Sequence, residues 1–186
     1  GKWQDIIDEP LPTNRELYSS TTAITHYAKG VAHAALGDVA AAETEQRLFA
    51  DACGRVPETR RLFNNTCADL NAIAAEMLAG EIAYRRGDFD EAFAHLRRSV
   101  ELDDNLPFDE PWGWMQPTRH ALGALLLEQN RVEEAEKVFR ADLGFDDTLP
   151  RACQHPENVW GLHGFVECLQ RLGRVSEAEL VRPRLV

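Results

Sequence analysis

Five short stretches of the chain share one pattern and decide its fold: Gly1-Lys-Trp-Gln-Asp-Ile6, Gly37-Asp-Val-Ala-Ala-Ala42, Gly87-Asp-Phe-Asp-Glu-Ala92, Asn130-Arg-Val-Glu-Glu-Ala135 and Gly173-Arg-Val-Ser-Glu-Ala178. Each stretch begins with Gly or Asn and has an apolar residue two positions later. Gly and Asn adopt the left-handed conformation that ends a helix at little steric cost. The apolar residue then begins the buried face of the next helix. The pattern therefore predicts five copies of one helix-to-helix turn.

The spacing of these turns indicates a repeat protein. Successive copies begin 36, 50, 43 and 43 residues apart, and self-similarity at periods of about 20 to 50 residues is typical of repeated supersecondary units. Gly30, Gly80 and Gly123 each lie seven residues before a turn, where a missing side chain lets paired helices approach closely. No stretch shows the alternation of a strand, so we predict an all-α chain of helix pairs.

These features resemble the tetratricopeptide repeat family over nearly the whole chain. Ala42, Ala92, Ala135 and Ala178 stand at the small-residue position of the family's second helix. The resemblance implies a right-handed α-solenoid of antiparallel helix pairs. Because the family's unit is about 34 residues, the longer periods here imply long loops between repeats.

The turns also predict the domain organisation. We expect a single domain over residues 1–186, with repeat pairs at approximately 21–53, 69–102, 117–143 and 158–181. Residues 1–8 would be the remnant of a preceding repeat, because Gly1 already falls at a turn. We therefore expect the chain to be a C-terminal fragment of a longer repeat protein.

Two long connections are duplicated together with the helices. Leu102-Asp-Asp-Asn-Leu-Pro107 and Phe145-Asp-Asp-Thr-Leu-Pro150 lie 43 residues apart. Each runs on into a segment with Trp and Pro residues, a composition that favours ordered loops over flexible linkers. We expect both loops to fold back over helix starts and to form walls of a pocket.

Net charge and cysteine spacing limit the classes of partner and the cellular compartment that we expect. The net charge of −11 argues against nucleic acid or an anionic membrane, because both recruit basic surfaces. Cys53, Cys67, Cys153 and Cys168 form no C-x-x-C pair, which favours reduced thiols in a cytoplasmic protein. A disulfide between Cys53 and Cys67 stays open.

The resemblance also implies a binding groove, because in tetratricopeptide repeats the first helix of each pair lines the concave surface. The residues thirteen, ten, six and three positions before each turn would face it. With Trp114 of the insertion loop and Arg119, a polar group expected beside it, this gives the candidate ligand-binding set Tyr27, Met77, Glu81, Tyr84, Trp114, Arg119, His120, Trp160, His163 and Glu167. Trp112 and Trp114 are open to two interpretations, an apolar floor for a ligand or a small core that fixes the loop.

A metal site is the alternative hypothesis for the same surface. His120 and His163 hold the same register in consecutive repeats, and Glu167 follows His163 by one helical turn. With Glu81 they form a set of two histidines and two carboxylates of the kind that binds Zn or Fe, possible in a hydrolase or an oxidoreductase. The competing interpretation is that each histidine is only a polar groove residue.

The functional prediction follows from what is present and what is missing. The sequence has no phosphate-binding glycine loop, no H-E-x-x-H motif and no G-x-S-x-G motif. We therefore predict a non-enzymatic protein without a cofactor. Its expected function is to bind a protein or peptide segment as a scaffold. The groove positions hold no lysine, which argues against the family's clamp on a partner's terminal carboxylate. A purely architectural role at the end of an array is the third hypothesis.

Overall fold

The computed structural model describes residues 1–185, and the predicted all-α fold of repeated helix pairs is confirmed. The helices lie in this order: α1 (Trp3–Asp8), α2 (Ser19–Ala35), α3 (Val39–Cys53), α4 (Cys67–Arg86), α5 (Phe89–Asp104), α6 (Thr118–Glu128), α7 (Val132–Asp142), α8 (Val159–Arg171) and α9 (Val175–Val181). Two short 3-10 helices occupy Arg151–Cys153 and Arg182–Leu185.

The four internal turns have the predicted left-handed geometry. Gly37, Gly87 and Gly173 have φ angles of 85°, 90° and 72°, and Asn130 has a φ of 57°. At each of these positions one helix ends and, two residues later, the apolar residue of the repeated pattern begins the next. The turn pattern therefore sets the positions of α3, α5, α7 and α9.

One short hairpin was not predicted from the sequence. The strands β1 (Arg61–Leu62) and β2 (Asn65–Thr66) pair antiparallel, with Arg61 opposite Thr66 and Leu62 opposite Asn65. Four residues are too few to show a period of two, which explains why the alternation was missed. The Thr66 hydroxyl then accepts a hydrogen bond from the Asp69 backbone N–H at 3.1 Å and caps α4.

The chain divides into two compact units, and the first runs from Gly1 to Met115. In it α2 packs against α3 and α4, and α4 packs against α5. The largest fully buried side chains of this unit are Ile73, Leu78, Phe93 and Leu96. The short α1 packs against α2.

The second unit begins at Gln116 and is built around Phe139 of α7. A Cβ atom added to Gly123 of α6 would lie 2.5 Å from the Phe139 ring, and one added to Gly164 of α8 would lie 2.6 Å from its Cε2 atom. Real Cβ contacts are almost never this short, so both positions require glycine for this ring to fit. The glycine predicted to permit close helix packing at position 123 has that role.

Candidate protein-binding site

The predicted groove residues of the first unit are mostly covered. Tyr27 of α2 is buried, and its hydroxyl donates to the Met77 sulfur of α4 at 3.6 Å. Tyr27 and Met77, which each stand ten residues before a turn, are therefore in direct contact. Burial, and then the nearby Glu81 carboxylate, raise the pKa of Tyr27, so this phenol stays neutral. These two side chains are part of a packed surface.

Glu81 and Tyr84 lie further along the same face of α4. Glu81 Oε1 accepts a hydrogen bond from Arg85 Nε at 2.9 Å. The Tyr84 ring is buried edge-on against Phe89 and Phe93 of α5, with ring centroids 5.2 and 6.2 Å away. Both side chains are thus occupied by neighbours within their own repeat.

Trp114 belongs to the connection after α5, here called the aromatic loop and comprising residues 105–115. Its side chain is 8% exposed and lies edge-on against Tyr27, with ring centroids 5.6 Å apart. Its indole Nε1 is buried and has no hydrogen-bond partner among residues 1–185. Trp112 is 42% exposed. The two tryptophans therefore differ: one covers the first-helix face, and the other lies at the surface.

The aromatic loop is fixed at a second point, the β1–β2 hairpin. Asp109 accepts hydrogen bonds from the Asn64 backbone N–H at 2.9 Å and from Asn65 Nδ2 at 3.1 Å. Asn64 Nδ2 also donates to the Phe108 carbonyl at 2.9 Å. Gly113 packs so closely on Asn65 that an added Cβ would lie 2.8 Å from Asn65 Cγ. The loop folds back over the start of α4, as the sequence predicted.

The second unit contains a buried carboxylate between two histidines. Asp142 ends α7 and is fully buried. His120 Nε2 of α6 donates to one of its oxygens at 2.9 Å, and His155 Nδ1 donates to the other at 2.8 Å. Burial acts to raise the pKa of Asp142, but the two imidazole hydrogen bonds outweigh it and the pKa is lowered. The carboxylate is therefore held in its charged form.

This network fixes the connection before α8, here called the histidine loop and comprising residues 144–158. The His155 backbone N–H also donates to the Asp142 carbonyl at 2.6 Å. At the end of the loop, the Asn158 side chain accepts from the backbone N–H groups of Trp160 and Gly161 and caps α8. Both duplicated loops are thus ordered, but by different side chains.

The remaining predicted site residues lie on α6 and α8. Arg119 is buried in the first turn of α6. Trp160 is 73% exposed, and His163, one turn further along α8, is exposed as well. Glu167 is half-buried and accepts a hydrogen bond from Arg171, which also donates to the Leu127 carbonyl of α6 at 3.0 Å. α8 therefore presents Trp160, His163 and Glu167 on one open face.

The metal hypothesis receives no support from this arrangement. Within residues 1–185, no group of three or more His, Cys, Asp or Glu side chains is placed to hold a metal ion. His120 is bonded to Asp142, Glu81 to Arg85 and Glu167 to Arg171. Three of the four proposed ligands therefore have protein partners. The four-residue spacing on one helix is compatible with the Glu81–Arg85 and Glu167–Arg171 pairs, whereas the His120–Asp142 bond is long-range.

Three residues that position the loops were not predicted from the sequence. They are Asn65, Asp109 and Asp142, and the contacts of all three are long-range, up to 45 residues along the chain. Asn64 and Asn65 directly precede the cap of α4, and nothing in this local sequence indicates that Asn65 binds a loop. No helix within residues 1–185 is long and apolar enough to cross a bilayer.

Comparison with known proteins agrees with the helix pairs. The tetratricopeptide repeat profile matches residues 23–45, 73–98 and 116–141. Over 89 residues, the chain is 37% identical to a protein of Emericella nidulans named "Probable assembly chaperone of rpl4". That match covers 48% of this chain and 21% of the relative, so the chain spans about a fifth of the relative's length. Three profile matches fall on three successive helix pairs of the fold, and these helix pairs are therefore tetratricopeptide repeats.

Proposed function

We propose that this protein-binding scaffold holds a segment of a partner protein against the open face of α8. The family and the chaperone relative support a protein partner; the use of this particular face is our proposal. The predicted groove residues Trp160, His163 and Glu167 form it. A scaffold of this kind needs neither a catalytic group nor a cofactor.

The observation that carries the proposal is the exposure of Trp160. Tryptophan buries a large area when it is covered and is enriched among the residues that dominate binding energy at interfaces. Here it is 73% exposed in the first turn of an ordered helix. Its neighbour Gly161 is buried against Asp142 and His120, so the backbone that carries Trp160 is fixed. Because this backbone is already ordered, binding has to restrict only the Trp160 side chain.

The polar neighbours of Trp160 fit the recognition of a polypeptide. His163 offers a ring that donates and accepts hydrogen bonds, and Glu167 adds a carboxylate at the next turn. Glu167 is held by Arg171, which also contacts the carbonyl of Leu127. The face therefore combines an apolar anchor with polar groups in fixed positions, which is typical of protein interfaces.

The chaperone relative suggests what kind of partner this is. We propose that the bound segment belongs to a client protein held before it is assembled, with rpl4 as the first candidate to test. We propose the cytoplasm as the compartment, because Cys53, Cys67, Cys153 and Cys168 are all free thiols. The structure contains no disulfide between Cys53 and Cys67, a pairing that the sequence left open.

Site-specific crosslinking tests the proposal. A photoreactive phenylalanine analogue is placed at position 160, at 163, or at the control position 180, whose leucine is 78% exposed on α9. With rpl4 as the candidate client, we expect crosslinks from positions 160 and 163 and none from 180. The Trp160→Ala variant should bind at least tenfold more weakly, and the Leu180→Ala variant should bind like the unaltered chain. Equal crosslinking from all three positions would remove the α8 face from consideration.

A further inference from the structure

The first unit presents the same first-helix face as the second, but it is occupied by the chain itself. Tyr27 of α2 and Met77 of α4 touch each other on this face, and Trp114 of the aromatic loop covers Tyr27. In the second unit, His163 of α8 stands at the equivalent position, ten residues before its turn, and both it and Trp160, one helical turn earlier, are exposed. The chain therefore shows which kind of segment the covered face accepts.

We propose that the face formed by Tyr27 and Met77 is a second docking surface, and that the aromatic loop is its internal occupant. The external partner is an extended protein segment that carries a carboxylate and, five residues later, an aromatic side chain. That spacing is the one between Asp109 and Trp114 in the loop. This inference rests on the proposed protein-binding function, and it adds a second surface with its own recognition chemistry.

The anchoring groups define the carboxylate part of this chemistry. Asp109 is bound by three donors of the β1–β2 hairpin: the Asn64 backbone N–H, Asn64 Nδ2 at 3.3 Å, and Asn65 Nδ2. All three are neutral N–H groups that would serve any carboxylate equally well. Arg61 adds positive charge beside them, because its guanidinium donates to the Asn64 carbonyl. The hairpin is therefore a receptor for an acidic side chain, and Asp109 is its present ligand.

The Trp114 side chain lies on this face without satisfying all of its own polar atoms. The Trp114 Nε1 donor is buried without an acceptor within residues 1–185. Buried polar groups without partners are destabilising. Displacing the loop returns this donor to water, which offsets part of the cost of opening and makes exchange energetically feasible.

The rest of the aromatic loop is not built like a core segment. Phe108 and Met115 are 58% and 64% exposed, and Asn64, which holds the loop through Asp109, is itself exposed. A loop that served only to close the fold would bury its apolar side chains. The loop is held by one buried ring, by the hydrogen bonds of Asp109 and by the packing of Gly113 on Asn65. A segment with so few buried apolar contacts opens at lower cost than a core helix.

A peptide of the chain's own sequence provides the probe. The synthetic, fluorescein-labelled peptide Asn105–Gln116 is titrated into the complete chain and followed by fluorescence anisotropy. We expect the Trp114→Ala variant to bind it at least tenfold more tightly than the unaltered chain, because its own seat is empty. The matched control Trp112→Ala alters an exposed tryptophan of the same loop and should bind like the unaltered chain.

Two further variants locate the binding and protect the test against misfolding. Asp109→Ala releases the loop at the hairpin without touching the Tyr27 seat, so it should also bind the peptide more tightly than the unaltered chain. The double variant Tyr27→Ala with Trp114→Ala should bind the peptide at least tenfold more weakly than the single variant Trp114→Ala. The proposal is overturned if folded Trp114→Ala and Asp109→Ala variants bind the peptide no better than the unaltered chain. That result would leave crosslinking at Trp160 unaffected, so the two proposals fail separately.

Discussion

His26 of α2 and Glu45 of α3 are joined by a hydrogen bond of 2.6 Å between Nδ1 and Oε2. Fifty residues later the same two positions of the next helix pair are linked again, but with the groups exchanged: Glu76 of α4 accepts from His95 of α5, also at 2.6 Å. The repeat therefore preserves the contact between its two helices and not the residue at either position. This pair is a structural bond of the repeat, which is the role expected for a buried histidine.

Exchanging the first pair is expected to be tolerated. In the double variant His26→Glu with Glu45→His, the bond is rebuilt in the orientation that the second pair already uses. Each single variant instead places two acids or two imidazoles together and should lower the free energy of unfolding by about 1–3 kcal/mol. Urea unfolding should show that the double variant recovers more than half of that loss.

The second pair supplies the control for this exchange. The side chains of His95 and Glu76 are 34% and 29% exposed, against 8% and 17% for His26 and Glu45. Because water competes at the more exposed pair, single variants there should cost under about 1 kcal/mol. A double exchange at 26 and 45 that is as destabilising as the sum of its single variants would contradict the interpretation.

Asp142 should make the second unit sensitive to acid. Its pKa is lowered in the folded chain because His120 and His155 donate to both oxygens. A depressed folded-state pKa stabilises the fold above the unfolded pKa of about 3.9, and this stabilisation is lost as the pH falls through the folded value. We expect Asp142→Asn to lower stability at pH 7 by about 3 kcal/mol and to flatten the loss of stability below pH 4.

Thermal unfolding between pH 2.5 and pH 7 checks this prediction. The control is Asp147→Asn, which changes an exposed acid of the histidine loop and should shift stability by less than about 0.5 kcal/mol. An Asp142→Asn variant that loses stability below pH 4 as steeply as the unaltered chain would show that other carboxylates govern the acid response.

The turns and helices could be predicted from the sequence because their signals are local. A glycine or asparagine at the end of a helix and an apolar residue two positions later act within a few residues of each other, and they placed α3, α5, α7 and α9 correctly. The start of α4 was predicted at Asp69 and lies at Cys67. Thr66 caps the helix, which adds two residues to its first turn.

The long-range partners of the groove residues could not be predicted because they depend on packing, whereas the Glu81–Arg85 and Glu167–Arg171 contacts each span four residues of one helix. His120 and His163 share a register, which suggested a common ligand, but the ring of His120 is bound to Asp142, 22 residues away. The resemblance placed Tyr27 and Met77 on the groove, yet nothing in their spacing indicates that a loop 87 residues after Tyr27 covers them. The position of a residue within the repeat predicts which face of its helix it lies on. The loops between the helices determine what covers that face.

The cysteines should be slow to react in the folded chain. Burial raises the pKa of Cys168 to about 12 and that of Cys53 to about 11, and the thiolate is the reactive form. At pH 8 we expect Cys168 to react with Ellman's reagent about a thousandfold more slowly than a free thiol of pKa 8.5. In urea without reductant all four thiols should titrate at once; a count of two would instead show a disulfide.

Gly164 is expected to tolerate no side chain while Phe139 is present. Alanine favours a helix over glycine by about 1 kcal/mol, so Gly164→Ala would stabilise α8 if space allowed it. The added Cβ would meet the Phe139 ring, and a Cβ at Gly123 would meet the same ring, so this ring packs tightly against both α6 and α8. Overpacking costs about 1–3 kcal/mol, and we expect a net loss of stability in urea unfolding.

Phe139→Leu removes the ring, so in that background Gly164→Ala should become neutral or stabilising, a coupling of at least about 1 kcal/mol. The control Gly54→Ala, whose Cβ would meet its nearest atom at 3.6 Å, should change stability little in either background. If Gly164→Ala cost the same with and without the Phe139 ring, the helices would be spaced by something other than this contact.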